Sequence, residues 1–83
     1  MFINKTIAGQ NNLCGRVIEV RRKEMEKSQR QLADMLQIAG LDIDKNAIQR
    51  IEAGKRFVTD IELTYLSKVL NLSYEILLGA SDE

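Results

Sequence analysis

The sequence contains no histidine, no tryptophan and no proline, and it has a single cysteine. Without histidine the commonest general acid and base is missing, and Cys14 alone can neither close an internal disulfide nor hold a structural zinc ion. The five glycines are scattered, so no glycine-rich phosphate-binding loop occurs. These absences argue against an enzyme, a metal centre or a bound cofactor and favour a binding module. We expect Cys14 to be a small buried side chain near the start of a helix.

Long apolar runs are also absent, and no stretch approaches the roughly 18 residues that a membrane span needs. The N-terminal sequence MFINKTIAGQNNLC lacks the basic start and apolar stretch of a signal peptide. We therefore expect a cytoplasmic protein without a membrane partner. A chain of 83 residues is long enough for one domain with one core.

The charges are balanced overall but unevenly distributed. Residues 1–56 carry eleven Lys and Arg against seven Asp and Glu, whereas residues 57–83 carry one Lys against five acids. Such an asymmetry can orient a small domain on a polyanion even at zero net charge. The alternative is a merely solvated surface, which the charge distribution alone does not exclude.

Helix start and stop signals recur along the chain, and no period-2 pattern long enough for a strand occurs. Ser28 with Gln31 and Thr59 with Glu62 form two capping boxes, and Asp44 is a further N-cap. Together with stops at Gly40, Gly54, Asn71 and Gly79 and a cap at Ser73, these signals predict helices over 29–39, 45–53, 60–70 and 74–78.

A longer helix is predicted over residues 13–26. Leu13, Val17 and Val20 recur at i, i+4 and i+7, so this face should enter the core. The opposite face, which should be solvated, carries Arg16, Glu19, Arg22, Lys23 and Glu26. Residues 1–12 are polar and without periodicity, which predicts a flexible arm before a domain over 13–79, and residues 80–83 form a short acidic tail.

The helix predicted over 45–53 carries the pattern most informative about function. On a helical wheel Ala47, Ile48 and Ile51 form an apolar arc that must face the core. The opposite arc holds only amide and cationic side chains, namely Lys45, Asn46, Gln49 and Arg50. Arg and Lys can pair with guanine in the major groove of DNA, and Asn and Gln with adenine. A solvated helix surface would show the same pattern, so it indicates DNA reading only weakly by itself.

Residues 28–54 read SQRQLADMLQIAGLDIDKNAIQRIEAG, and this segment resembles the helix-turn-helix of the lambda-repressor-like, or Xre, family. The resemblance covers about residues 13–79. It is carried by Gly15-Arg16-Val17, Val20-Arg21, Ser28-Gln29, Leu32-Ala33, Leu36, Ile48, Ile51-Glu52, Gly54, Leu66, Leu70, Asn71-Leu72-Ser73 and Ile76-Leu77-Leu78.

The resemblance implies an all-α bundle of five helices in which the 45–53 helix enters the major groove of double-stranded DNA. It implies base contacts from Lys45, Asn46 and Arg50, with Gln49 helping. It also implies phosphate contacts near the start of the second helix and after the third, from Ser28, Gln29, Lys55 and Arg56. Finally, it implies a structural ion pair between Glu52 and an arginine of the first helix.

Two departures from the family pattern affect these expectations. The turn between the second and third helices is about five residues longer than usual, which bears on how the third helix docks. Glu26-Lys27 replace the family's Gly-Leu, and the first turn is one residue longer. Either Arg21 or Arg22 can therefore match the family's arginine, and the apolar phase of Leu13, Val17 and Val20 favours Arg21.

The sequence thus predicts a sequence-specific transcriptional regulator, a repressor, that works as a homodimer on an inverted-repeat operator. The C-terminal half is the predicted interface, since the last short helix cannot bury all of its apolar residues, Tyr74, Ile76, Leu77 and Leu78. The alternative is a protein-interaction module of the same fold, such as an antitoxin or a transcription adaptor, whose acidic residues 57–83 would bind the protein partner.

Overall fold

A computed structural model describes Thr6 and residues 9–79 and shows five α-helices and no strand among them. The helices are α1 (Gly15–Glu24), α2 (Gln29–Ala39), α3 (Lys45–Glu52), α4 (Asp60–Leu70) and α5 (Tyr74–Leu78). The predicted bounds of α2, α4 and α5 are confirmed. Helix α3 ends one residue earlier than predicted, and α1 is shorter at both ends. The predicted acidic tail, 80–83, lies outside the described residues.

Both predicted capping boxes are present. The Ser28 hydroxyl accepts a 3.0 Å hydrogen bond from the Gln31 amide, and the Gln31 side-chain oxygen accepts one of 2.8 Å from the Ser28 amide. Thr59 and Glu62 make the same reciprocal pair at the start of α4. Each box satisfies two amide groups that the first turn of a helix leaves without partners. At the end of α4, Asn71 takes the left-handed conformation, with φ of 56°.

One hydrophobic core lies where all five helices meet. Apart from Cys14, Arg22 and Glu52, its side chains are aliphatic, and the α3 contribution, Ile48 and Ile51, was predicted from the helical wheel. The fully buried side chains are Cys14, Ile18, Leu32, Leu36, Ile48, Ile51, Leu66, Leu70 and Leu77. Cys14 is thus the small buried residue that was predicted, and burial raises the pKa of its thiol to about 11.

The predicted inward face of α1 is wrong. Leu13 is 61% exposed and Val20 is 45% exposed, while Ile18 and Arg22 are buried. The true buried stripe runs from Cys14 through Ile18 to Arg22, at i, i+4 and i+8. Counting apolar residues missed it because one of its three positions is an arginine, and an error of one residue turns a helix by about 100°.

Helices α1 and α3 approach each other at Gly15. A Cβ atom built on Gly15 would overlap the Ile51 carbonyl oxygen, so only glycine fits this contact. The Ile51 carbonyl belongs to the last turn of α3, and its position is therefore set by the backbone of α1.

The described part of the predicted flexible arm is bound to the domain instead. Asn12 donates from Nδ2 to the carbonyls of Ile51 and Arg56, at 3.0 and 2.8 Å, and its Oδ1 accepts from the Gly15 amide at 2.8 Å. The Asn11 amide donates to the Gly54 carbonyl at 2.8 Å. The Ile51 carbonyl lies at the end of α3, where carbonyls lack partners within the helix, and the other two belong to the segment that follows α3. The prediction of a loose segment is wrong for residues 11–12, while 1–5, 7 and 8 lie outside the described residues.

Candidate nucleic-acid interface

Helix α3 presents one polar face to solvent. Its Ile48 and Ile51 side chains are fully buried, whereas all four side chains of the predicted reading arc, Lys45, Asn46, Gln49 and Arg50, are exposed. None of these four appears in an ion pair among the described residues. The exposure of the arc is as predicted from the wheel. Contact of these residues with bases stays a prediction.

The long turn between α2 and α3 is packed against the domain. Gln37 donates from Nε2 to the Ile43 carbonyl at 2.7 Å, and the Ile43 side chain is buried in the core. Asp44 then starts α3, because its carboxylate accepts a 2.8 Å hydrogen bond from the Ala47 amide. The extra residues therefore fix the start of α3 rather than loosening it.

A single carboxylate joins the first three helices. Glu52 accepts from Arg22 through two parallel hydrogen bonds, Nε to Oε2 at 2.7 Å and Nη2 to Oε1 at 3.0 Å. Its Oε1 also accepts from Gln29 Nε2 at 3.0 Å. The Glu52 and Arg22 side chains are only 4% and 10% exposed. This network fixes α3 relative to α1 and α2, and the hydrogen bond to Glu52 raises the pKa of Arg22 above its usual value.

The predicted ion pair between Arg21 and Glu52 is wrong, and the second choice, Arg22, is the partner. Arg21 instead donates from Nε to the Leu70 carbonyl at 2.9 Å, at the end of α4, and lies 3.4 Å from Glu24. The cause is the helical phase of α1, since Arg22 follows Ile18 by one turn and shares its buried face. Arg22 also donates to the Lys27 carbonyl at 2.8 Å, which holds the longer first turn.

The predicted phosphate-contacting residues differ in whether their side chains are already bound within the protein. Ser28 uses its hydroxyl to cap α2, and half-buried Gln29 gives one of its two amide hydrogens to Glu52. Lys55 is exposed and has no ion pair among the described residues. Contact of these residues with phosphate stays a prediction.

Arg56 is engaged within the protein. Its Nη1 and Nη2 donate to the two carboxylate oxygens of Glu62 at 3.0 and 2.9 Å, and Nη1 also reaches the Phe57 carbonyl. The Arg56 guanidinium lowers the pKa of the Glu62 carboxyl and has its own pKa raised in return. A phosphate contact from Arg56 would have to share or displace this carboxylate. Nothing in the local sequence distinguishes the free cation Lys55 from its engaged neighbour.

The cations that have no ion pair gather around the helix-turn-helix. Among the described residues, four cationic side chains form ion pairs with acids, namely Arg21, Arg22, Lys23 and Arg56. Of the cations without an ion pair, Arg16 lies on α1 and Lys68 on α4. The others lie on or next to α2 and α3, and they are Lys27, Arg30, Lys45, Arg50 and Lys55. Arg30 is not among the residues predicted to contact DNA. Its signal would have been an exposed cation at the start of a helix beside the reading arc.

An apolar surface lies away from α3. Tyr74, Ile76 and Leu78 of α5 are exposed, whereas Leu77 is fully buried and belongs to the core. Three of these four apolar residues are therefore exposed and Leu77 lies in the core, as predicted for a helix that cannot bury all of its apolar side chains. A groove of about 270 Å³ runs between α1 and α5, with Val17, Val20, Leu72 and Ile76 among its lining residues.

The described residues hold no helix long and apolar enough to cross a membrane. Over the same residues, no group of three or more Cys, Asp or Glu side chains is placed to hold a metal ion.

The fold and the exposed arc together define a helix-turn-helix domain, a class best known for binding DNA. A family model described as helix-turn-helix matches residues 18–77. The chain belongs to this family, of the lambda-repressor-like or Xre type, and the predicted fold class is confirmed. No curated protein and no solved structure matches the chain. Family membership indicates a DNA-binding regulator.

Proposed function

We propose that the protein is a sequence-specific transcriptional repressor that acts in the cytoplasm and reads the major groove with α3. The observation that carries the proposal is the arc of Lys45, Asn46, Gln49 and Arg50, which is exposed, free of acids and borne by a rigidly held helix. Repression is the simplest outcome for such a domain, because a protein bound at an operator blocks access to it.

The supports behind α3 favour base reading over a merely solvated surface. A reading helix must hold its side chains in one register on the duplex, and hydrogen bonds to base edges demand that geometry. Glu52 at the end of α3 is tied to α1 and α2, and Asp44 with the packed turn fixes its start. The helix that bears the polar arc is therefore fixed at both of its ends.

Base reading is tested with Arg50→Ala on a library of binding sites. Losing one bidentate contact costs about 1–3 kcal/mol at a single base position, so preference there should fall by a factor of about 5 to 150. Lys68→Ala is the matched control, since Lys68 is an exposed cation of α4 outside the arc. Unchanged preference in the Arg50 variant would remove this residue from the reading set.

Phosphate binding is proposed for Ser28, Gln29, Lys55 and Arg56, with Lys55 as the leading cation because its side chain has no ion pair among the described residues. Lys55→Ala should weaken binding to all sequences alike and lower the slope of log affinity against log salt by about 1. Gln29→Ala should weaken binding uniformly without that change in slope. A Lys55 variant with altered base preference and an intact slope would contradict this assignment.

We propose that the protein binds its operator as a homodimer. A helix of eight residues touches only a few base pairs, which gives little discrimination against the excess of non-specific sites. Two copies would read two half-sites about one helical turn apart. The exposed Tyr74, Ile76 and Leu78 supply an apolar contact surface. Footprinting should show an inverted repeat; one copy on a short asymmetric site would contradict the dimer.

A protein-interaction module, such as an antitoxin or a transcription adaptor, is the second candidate. The groove between α1 and α5 favours it, because apolar surface left exposed commonly marks a contact with another protein. Gel shifts at low salt with random DNA, followed by genomic competitor, separate the two functions. No retardation under either condition would favour the protein-interaction module.

A further inference from the structure

A cleft separates α2 from the start of α3, on the side of the molecule that carries the reading arc. Its volume is about 320 Å³, and its lining residues are Arg30, Ala33, Asp34, Gln37, Asp44 and Lys45. Arg30 and Lys45 therefore face the same space from two different helices. Lys45 is the first residue of the arc, so Arg30 shares this cleft with the residue at which the arc begins.

Arg30 is free to bind a ligand. It is the second residue of α2, it is exposed, and it makes no ion pair or hydrogen bond with its side chain among the described residues. Asp34 lies one turn further along α2, yet it is not within ion-pair distance of Arg30. Arg56, by contrast, is half-buried and its guanidinium is bound to the Glu62 carboxylate.

We propose that Arg30 binds a backbone phosphate of the duplex, beside the groove that α3 enters; this inference rests on the proposed DNA-binding function. The guanidinium binds phosphate through two parallel hydrogen bonds and stays charged at every physiological pH. Arg30 lies on α2, across the cleft from Lys45 and outside the reading arc, where the strand bordering the groove would run. Arg30 and Lys55 would then contact the backbone from α2 and from the segment after α3.

Asp34 gives the inference an opposite partner. Its carboxylate lines the same cleft and has no ion pair among the described residues, so it would repel the phosphate that Arg30 attracts. Removing its charge should therefore strengthen DNA binding, whereas removing the charge of Arg30 should weaken it. Neither side chain is buried, so neither substitution should disturb the fold.

The test measures affinity for random-sequence duplex DNA, and for a site selected by the wild type, over a series of salt concentrations. Arg30→Ala should lower affinity for both DNAs by the same factor and reduce the salt slope by about 1. Arg30→Lys should restore the slope, and Asp34→Asn should raise affinity for both DNAs. Lys68→Ala, an exposed cation of α4, should leave both quantities at their wild-type values.

Two results would overturn the inference while the proposed function stands: Arg30→Ala matching Lys68→Ala, or Arg30→Ala changing base preference with an unchanged salt slope. A wild-type protein that binds neither DNA at low salt would overturn the proposed function and this inference with it. Circular dichroism of each variant confirms that the helices are intact, so a loss of affinity cannot be assigned to unfolding.

Discussion

At the scale of single residues, the buried carboxylate of Glu52 carries the most structural consequence. It accepts three hydrogen bonds from Arg22 and Gln29, and it is almost completely enclosed. An enclosed charge is tolerated only when it is paired and hydrogen-bonded. Glu52 therefore fixes the C-terminal end of α3 against α1 and α2.

We expect strong energetic coupling between Arg22 and Glu52. Removing either partner alone leaves an uncompensated buried charge, which costs about 3–5 kcal/mol of unfolding free energy. A double-mutant cycle with Arg22→Ala and Glu52→Ala, measured by urea unfolding, should give a coupling of about 1–3 kcal/mol. The same cycle with Arg21→Ala is the control and should give almost none. Greater coupling at position 21 than at 22 would contradict the observed pairing.

The correct arginine could not be read from the sequence, although the existence of the ion pair could. The resemblance implied an arginine of the first helix as the partner of Glu52. Which of Arg21 and Arg22 it is depends on which face of α1 is buried. Val17 and Val20 suggested one phase, but the side of α1 that packs on α3 was set by Gly15 and Ile18. Packing between helices is a tertiary choice that a hydrophobic count within one helix does not contain.

At the scale of elements, the crossing of α1 on α3 depends on the absence of a side chain at Gly15. The Ile51 carbonyl lies where a Cβ would be, and Asn12 holds the same carbonyl from another side. Neither backbone can yield easily, because α1 and α3 are also joined through Arg22 and Glu52.

Gly15→Ala should therefore destabilise the fold, although alanine is the better helix former. The cost of forcing the two helices apart should exceed the ~1 kcal/mol gained in helix propensity, with a net loss of about 1–3 kcal/mol. Thermal and urea unfolding measure it, and Arg16→Ala, at the next and exposed position, is the control. A Gly15 variant as stable as the Arg16 variant would show that α1 and α3 can separate freely.

The starts of α2 and α4 were predictable because their signals are local, whereas α1, which has no side-chain cap, was predicted too long at both ends. The capping boxes at Ser28 and Thr59 act within four residues, and each started its helix where the sequence placed it. The segment at residues 11–12 was not predictable in the same way. Its asparagines bond to carbonyls about forty residues along the chain, and no local pattern marks such contacts.

At the scale of the whole molecule, charge is divided between residues 1–56, with a net charge of +4, and residues 57–83, with a net charge of −4. The Arg56–Glu62 pair lies at the boundary between these halves and links the chain after α3 to the start of α4. The lowered pKa of Glu62 means that the folded state holds this carboxylate charged. Between the lowered pKa of the folded state and the ordinary value of 4.5, the unfolded chain binds more protons than the folded protein. The free energy of unfolding therefore falls on acidification.

We expect Glu62→Gln to reduce the acid sensitivity of the fold. The carboxylate contributes stability above its ordinary pKa of 4.5, and this contribution is lost as pH falls through the lower folded value. The unfolding free energy, measured at pH 7 and pH 3, should therefore differ less in the variant than in the wild type. Glu26→Gln, at an exposed position without an ion pair among the described residues, should keep the wild-type difference. An equal pH dependence in both variants would contradict the role given to Glu62.

The reading arc was predictable at this scale too, because α3 has a clear apolar face and the opposite face follows from it. Which of the surrounding cations form ion pairs within the protein was not predictable. Arg56 and Lys55 are adjacent and chemically similar, yet only Arg56 meets a carboxylate, and Arg30 gains its significance only from the cleft that it shares with Lys45. Such distinctions depend on which side chains the fold brings together.

Selection from a random duplex library tests whether α3 reads a DNA sequence. The wild type should enrich an inverted repeat whose half-sites lie about one helical turn apart. A variant with alanine at all four exposed positions, Lys45, Asn46, Gln49 and Arg50, should keep the helical fold and enrich no sequence. Enrichment of the same sequence by both proteins, or no enrichment by the wild type, would contradict base reading by α3.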